Sequence, residues 1–272
     1  MKLSVVFLMA AALLAQEEAE EGARQLWNSS FRKQRATAQG APRAAPAPGG
    51  EALVGVTLWL LRESRPGDEP EAQLAARGGV AAWTPVRMEA DTPLAEGQRV
   101  RVGIEVARAG YLYVIDREQY AGGSYGAPHL IFPSLRLAGG QNEVKAGRLV
   151  EIPSLEDNPR YFTIRMSRPD QVAEVLTVLV TPQPLAEIKI GRSPLPLSAE
   201  QVKAWEQRWG AKVERLEAKR QVGRPYTKAE KQAATLQTRL LAHDEPLPQT
   251  LYRLEAKPGE ALLLSVPLRI KR

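Results

Sequence analysis

The chain has 272 residues, of which 44% are hydrophobic and 25% are charged, a balance that is typical of a globular protein. It contains no cysteine, which excludes disulfides, thiolate nucleophiles and cysteine-based metal sites. The formal net charge is +6, but basic and acidic residues are interspersed along the chain, so we expect no nucleic-acid interface.

The first segment of the chain is typical of a secretory signal peptide. Lys2 gives a positive start, and residues 3–14 are almost entirely apolar. Such a run is too short to span a bilayer, which takes about 20 apolar residues. No later segment offers a longer one. We therefore predict a cleaved signal peptide over residues 1–15, no transmembrane anchor after cleavage, and export to the periplasm or the extracellular space.

Residues 16–50 differ in composition from the rest of the chain. They are first charged and then rich in Ala, Pro and Gly, and such segments bury too little apolar surface to fold alone. We predict a disordered leader and a Pro/Ala/Gly linker, with a short helix over residues 23–35 as the alternative. That helix would place Leu26, Trp27 and Phe31 on one apolar side. We expect a single domain over residues 51–272.

Alternating apolar residues dominate the chain after residue 50 and predict β-strands. In residues 100–106, the even-numbered residues are apolar and would face a core, while Arg101 and Glu105 would face solvent in a half-buried strand. Further strands are predicted over residues 53–61, 111–116, 130–132, 148–152, 161–166 and 175–181. The connections are too short for crossover helices, so we expect two antiparallel sheets packed as a sandwich.

Two capping patterns interrupt the strands near the C-terminus. Ser198–Gln201 and Thr227–Glu230 each place a hydroxyl three residues before a Gln or Glu, which is typical of a capping box. Apolar residues follow each pattern at three- and four-residue intervals. The first apolar stripe comprises Val202, Trp205, Trp209, Val213 and Leu216. Because Gly223 and Pro225 favour a turn, the sequence predicts an αα-hairpin inserted at about 198–242.

Two strands are predicted at the end of the chain. Residues 251–254 and 262–270 are separated by Lys257–Gly259, which favours a turn, so we expect a terminal β-hairpin. Pro267 cannot donate a hydrogen bond to a ladder, and this indicates an edge strand. The predicted fold class is therefore mainly β: an antiparallel β-sandwich with a two-helix insertion near the C-terminus.

Four short segments of the chain carry a family resemblance. They are Gly110–Asp116, Leu130–Pro133, Asn142–Gly147 and Val150–Pro153. In order and spacing they resemble the bacterial domain of unknown function DUF4384, over about residues 52–185. The resemblance implies a compact β-domain of bacterial envelope or exported proteins with no established catalytic residues. The chain departs from the family pattern in the loop 117–128 and in the helical insertion.

A Gly-x-Ser-x-Gly string at Gly122–Gly126 raises the alternative of a serine hydrolase with Ser124 as the nucleophile. In α/β-hydrolases this string lies between a strand and a helix, whereas the residues after Gly126 favour a strand. His129 and His243 are the only histidines, and neither lies in a zinc-binding pattern. We therefore predict a flexible glycine loop, no metal site and no cofactor, since phosphate-binding and dinucleotide-binding motifs are also absent.

Four aromatic residues are candidate binding residues: Tyr120, Tyr125, Trp205 and Trp209. Tyrosine gives contact area at a small entropic cost, and exposed tryptophans would mark a partner surface. The alternative is that the four residues pack within the fold.

These observations favour a non-catalytic exported module that engages another envelope protein or a cell-surface polymer through loops or an open sheet edge. A structural subunit of an envelope assembly, docking through the helical hairpin, is a second alternative beside the serine hydrolase.

Overall fold

The computed structural model of the chain describes residues 25–27, 51–70, 73–75, 82–236, 241, 245–257 and 259–271. The predicted signal peptide and nearly all of the predicted leader lie outside the described residues. Residues 25–27 are helical, and Trp27 is buried against Leu53 and Leu251. Leu26 and Trp27 of the leader are therefore packed against the domain.

Strands predominate in the described part of the chain, which confirms the predicted mainly β class. They are β1 (Glu51–Glu63), β2 (Leu74–Ala75), β3 (Ala82–Met88), β4 (Arg99–Val106), β5 (Gly110–Tyr120), β6 (His129–Phe132), β7 (Glu143–Val144), β8 (Leu149–Ile152), β9 (Phe162–Thr163), β10 (Gln171–Thr181), β11 (Leu195–Pro196), β12 (Val213–Glu217), β13 (Thr250–Glu255) and β14 (Leu262–Arg269). The helices are α1 (Ala199–Trp209) and α2 (Lys228–Leu236). Within the described ranges, no helix is long and apolar enough to cross a membrane.

The strands form two antiparallel sheets. Sheet 1 contains β1 to β4, β8, β9, β12 and β13, and sheet 2 contains β5 to β7, β10, β11 and β14. In sheet 1, β1 is central because it pairs with β4 along one side and with β13 and then β3 along the other. In sheet 2, β5 pairs with β10 on one side and with β6 and β7 on the other.

Side chains from both sheets share one buried core cluster. Even-numbered residues of β1 and β4 belong to it, and so do even-numbered residues of β5, β10 and β14. Every second side chain of a strand lies on the same face, so these strands turn one face towards the shared core. The even-numbered residues of 100–106 lie in this core, as their alternation predicts.

The other face of β4 is also buried, which differs from the predicted half-buried strand. Arg101 and Glu105 were expected in solvent but are 1% and 3% exposed. Residues 223–226 run alongside β3, where Arg87 donates its N–H to the Arg224 carbonyl at 2.9 Å, and the buried Tyr226 ring lies over this face, 5.9 Å from the Arg101 guanidinium carbon. Arg87 also forms a buried ion pair with Glu230 of α2. Ionisable residues pair with one another beneath this cover, so their polarity does not indicate exposure.

Both helices begin where the capping patterns predict. The Gln201 N–H donates to the Ser198 hydroxyl at 3.0 Å. At the second helix, the Glu230 N–H donates to the Thr227 hydroxyl, and the Thr227 N–H donates to the Glu230 carboxylate, which completes a capping box.

The predicted αα-hairpin is nevertheless wrong, because a strand separates the two helices. Helix α1 ends at Trp209. Val213 and Leu216, which were expected on its apolar stripe, lie in β12, and β12 pairs with β13. The pairing with β13 gives this segment backbone hydrogen bonds and an ion pair between Glu214 and Arg253.

The predicted terminal hairpin is also wrong. Strand β13 pairs with β1 and β12 in sheet 1, whereas β14 pairs with β10 in sheet 2. Alternation predicts that both segments are strands, but it does not say which sheet each strand joins. Among the described strands β14 is an edge strand of sheet 2, as Pro267 indicates.

Candidate functional site

A cleft of about 390 Å³ runs along strand β8. Tyr111 of sheet 2 and Ala234 of α2 contribute to its walls. On β8 itself, Leu149 and Glu151 lie on the face beneath α2 and Val150 lies on the core face, and all three line the cleft. Because residues from both faces of the strand line it, the cleft follows the free edge of β8.

Strand β8 is an edge strand because of how the chain reaches it. The chain passes from β7 in sheet 2 to β8 in sheet 1 through a turn, in which Arg148 donates its N–H to the Lys145 carbonyl at 3.2 Å. Gly147 takes a positive φ of 71° there. Pro153 follows β8 and has no N–H to extend the ladder. In the described part of the chain, β8 pairs only with β4.

Two hydrogen bonds define which residues of β4 direct their backbone N–H and C=O groups towards β8. Ala107, which follows β4, donates its N–H to the Leu53 carbonyl at 3.0 Å, so the odd-numbered residues of β4 direct their backbone groups towards β1. The backbone groups of the even-numbered residues of β4 must then point towards β8. Gly147 donates its N–H to the Val106 carbonyl at 2.8 Å, which agrees with this assignment.

The same alternation defines the free edge of β8. Val150 and Ile152 lie opposite even-numbered residues of β4 and therefore bond to that strand. The N–H and C=O groups of Leu149 and Glu151 point the other way, into the cleft. The edge therefore offers the backbone donors and acceptors that an added strand requires.

The basic residues of the cleft lie on the turn before β8. Lys145 is exposed, and Arg148 is partly buried. The Arg148 Nε atom is buried and has no hydrogen-bond partner among the described residues. Partial burial lowers the pKa of Arg148, and no carboxylate in the described part of the chain opposes that change. Glu143 of β7 also lines the cleft and is exposed.

The acidic residue of β8 is tied to the layer beneath α2. Glu151 Oε2 accepts a hydrogen bond from Arg101 at 2.5 Å, and Arg101 also donates to the Pro153 carbonyl at 3.1 Å. Burial raises the pKa of Glu151, and the Arg101 charge opposes that rise. The buried Tyr226 hydroxyl also interacts with the Glu151 carboxylate and opposes the rise in its pKa. Arg101 and Tyr226 therefore hold the Glu151 carboxylate in the layer beneath α2.

The structure does not bring the four predicted aromatic residues together on one exposed surface. Tyr120 is buried, and the guanidinium carbon of Arg168 lies 4.1 Å from the centroid of its ring. Tyr125 is 46% exposed. Trp205 is buried on the outer face of sheet 2. Trp209 is partly buried and stacks on Trp205, with 6.2 Å between the ring centroids. The tryptophans therefore pack α1 against the sheet, and binding by any of the four stays a prediction.

Two surface features lie near α1. The guanidinium carbon of Arg117 lies 4.1 Å from the centroid of the Tyr125 ring, and Arg117 also forms an ion pair with Glu206 of α1. A second cleft, of about 330 Å³, lies at the C-terminal end of α1 and is lined in part by Arg208 and Trp209. Both features use side chains that already have partners in the fold.

The glycine-rich segment around Ser124 forms a hydrogen-bonded turn. Tyr120 donates its N–H to the Ser124 carbonyl, and Gly126 donates to the Glu118 carbonyl, each at 2.9 Å. Strand β6 follows at His129, so the strand–turn–helix arrangement of a nucleophile elbow does not occur here. His243, the other candidate base, lies outside the described residues.

Three carboxyl groups cluster on β5 and β10, away from the β8 cleft. Glu174 lies opposite Glu118, and Asp116 lies opposite His129. Burial raises the pKa of Asp116 to about 6. Burial, together with the Asp116 charge, raises the pKa of Glu174 to about 8. No group of His, Asp and Glu within the described ranges is arranged to hold a metal ion.

The sequence did not single out Arg148, Leu149 or Glu151. Residues 148–152 were predicted only as a strand, and Asn142–Gly147 and Val150–Pro153 were noted for a family resemblance, together with segments of β5 and β6. Residues from all four segments line the cleft. Their convergence depends on strand pairing between distant parts of the chain, and this is not visible in a local pattern.

No family model, curated protein or solved structure matches the chain. Membership of the DUF4384 family therefore stays a prediction.

Proposed function

We propose that this chain is an exported, non-catalytic β-sandwich module that binds another protein of the cell envelope. The module accepts an extended segment of its partner at the free edge of β8. The observation that carries this proposal is the set of backbone groups that Leu149 and Glu151 direct into the cleft. Export to the periplasm or the extracellular space rests on the signal peptide predicted over residues 1–15.

The sandwich arrangement is supported by the core cluster that both sheets share. Two sheets that bury a common face hold their edges at a fixed separation of about 10 Å. On the side of β8, that separation leaves room for the cleft. Val150 and Ile152 of β8 pack in that core, so a partner strand would meet a preformed surface.

Strand addition is supported by the chemistry of an open edge. An exposed edge pairs readily with another chain, because its N–H and C=O groups lack partners in the fold. Peptide-binding domains use such edges for affinity and use neighbouring pockets for specificity. Tyr111 and Phe132 line the cleft beside β8 and would contact side chains of the added strand.

The test is a selection of random peptides displayed on phage against the full chain. Leu149→Pro removes the outward N–H without removing a ladder hydrogen bond. Leu149→Ala is the matched control, because both variants lose the leucine side chain and only proline removes the N–H. Thermal unfolding of both variants establishes that they fold.

Peptides that bind the wild-type chain and Leu149→Ala but not Leu149→Pro would support the proposal. Peptides that bind all three proteins equally would overturn it. Retention of a cell-surface polysaccharide instead of any peptide, with loss of binding in Trp209→Ala, would make the module a polymer-binding domain that uses the cleft at the end of α1.

A further inference from the structure

Arg148 lies at the start of β8, at one end of the cleft, and forms no ion pair among the described residues. Its Nε atom is shielded from solvent, and no carboxylate among the described residues offsets the partial burial of the side chain. A cation that loses part of its hydration without gaining a counter-ion is less favourable than one in water. An anionic group on a ligand would supply the missing partner through charge-assisted hydrogen bonds.

The geometry of strand addition places a ligand side chain beside Arg148. An added strand would run about 4.8 Å from β8. Side chains that lie opposite each other across such a pair are about 5 Å apart. The residue of the partner that falls opposite Arg148 therefore lies within reach of the guanidinium group, which binds a carboxylate through two parallel hydrogen bonds.

The other charged residues of the cleft are consistent with an acidic ligand. Lys145 is exposed on the same turn and adds a second positive charge. The negative charge of Glu151 lies against Arg101. Glu143 is exposed on β7 and forms no ion pair with Arg148.

We propose that the segment bound at β8 carries an Asp or Glu side chain that pairs with Arg148. This inference rests on the proposed function, because it names the chemistry of the peptide that binds at the same edge. The pairing also fixes the register of the added strand, since a shift by one residue would turn the carboxylate to the opposite face. The partner is therefore an extended segment with one acidic residue at a defined position.

The experiment repeats the phage selection with the full chain carrying Arg148→Glu or Arg148→Gln. Arg160→Gln is the control for net charge, since Arg160 is an exposed arginine outside the cleft. We expect the wild-type chain and Arg160→Gln to enrich Asp or Glu at one position, and Arg148→Glu to enrich Lys or Arg there. The affinity of a selected acidic peptide should fall about tenfold or more in Arg148→Gln, the loss typical of a hydrogen bond to a charged group.

Peptides without a fixed acidic position that bind Arg148→Gln as tightly as the wild type would overturn the inference. If the same peptides fail to bind Leu149→Pro, strand addition at β8 still stands. If they bind Leu149→Pro unchanged, the proposed function fails as well. Should Leu149→Pro not fold, protection of the Leu149 and Glu151 amides by the peptide answers the same question without a substitution.

Discussion

Arg101 of β4 and Glu151 of β8 form an ion pair at 2.5 Å in which each side chain is only 1% exposed. The pair joins the free edge of sheet 1 to the strand that supports it. Buried pairs of this kind contribute little relative to apolar residues, but the loss of one partner leaves an uncompensated charge in a dry environment.

Glu151→Gln should therefore lower the free energy of unfolding by about 3–5 kcal/mol, because the Arg101 charge stays buried without its carboxylate. Chemical denaturation measures the change. Asp170→Asn is the matched control, since it breaks the exposed Arg168–Asp170 pair, which contributes less than about 1 kcal/mol. Equal losses in the two variants would contradict the burial of the Arg101–Glu151 pair.

The carboxyl pair Asp116 and Glu174 should make stability depend on pH. The pKa of Glu174 rises from its ordinary value of 4.5 to about 8. The folded chain therefore binds protons more tightly than the unfolded chain between those values, and the free energy of unfolding should fall as pH increases through this window.

Glu174→Gln should flatten this pH dependence and should make the variant more stable than the wild type above about pH 8. Thermal unfolding from acid to mildly alkaline pH measures the effect. Glu187→Gln, which alters an exposed glutamate, should leave the profile unchanged. Parallel profiles for the wild type and Glu174→Gln would show that these carboxyl groups do not share a buried site.

Trp205 should contribute to stability by packing α1 onto sheet 2. It is buried among Tyr113, Leu179 and other residues of that face, so Trp205→Ala should cost about 3–5 kcal/mol in the free energy of unfolding. Leu135→Ala, at an exposed leucine, should change it by less than about 0.5 kcal/mol. A fully stable Trp205→Ala protein would place Trp205 on an exposed partner surface instead.

The capping box of α2 gives a further stability prediction. Thr227→Ala removes the hydroxyl that accepts the Glu230 N–H and should cost about 1 kcal/mol. Thr227→Ser keeps the hydroxyl and should retain most of that stability, as chemical denaturation would show. If Ser and Ala are equally destabilising, the loss comes from the threonine methyl group and the cap is not important.

Local patterns in the sequence were sufficient for much of the secondary structure. Alternation predicts β4 and β5, and the Ser198 and Thr227 patterns predict where the helices begin, because these features depend on neighbouring residues only. Strand β3 was not predicted, and Pro85 within it lacks the N–H that a strand interior uses. The sequence also extended α1 into β12, whose strand form depends on pairing with the distant β13.

The candidate site could not be predicted from the sequence, because it depends on which polar residues are buried. Arg101 and Glu105 have the alternation of a solvent-facing surface, yet both are buried in a layer that contains Tyr226 and α2. The free edge of β8 likewise results from the passage of the chain between two sheets. The sequence of a single strand does not show whether another strand pairs with its second backbone edge.

Amide hydrogen exchange tests most directly whether a partner strand pairs with the free edge of β8. We expect a selected peptide to slow exchange at Leu149 and Glu151, because their N–H groups become hydrogen-bonded, while Val150 and Ile152 change little. If the peptide binds and the Leu149 and Glu151 amides exchange as fast as in the free chain, strand addition at β8 is wrong.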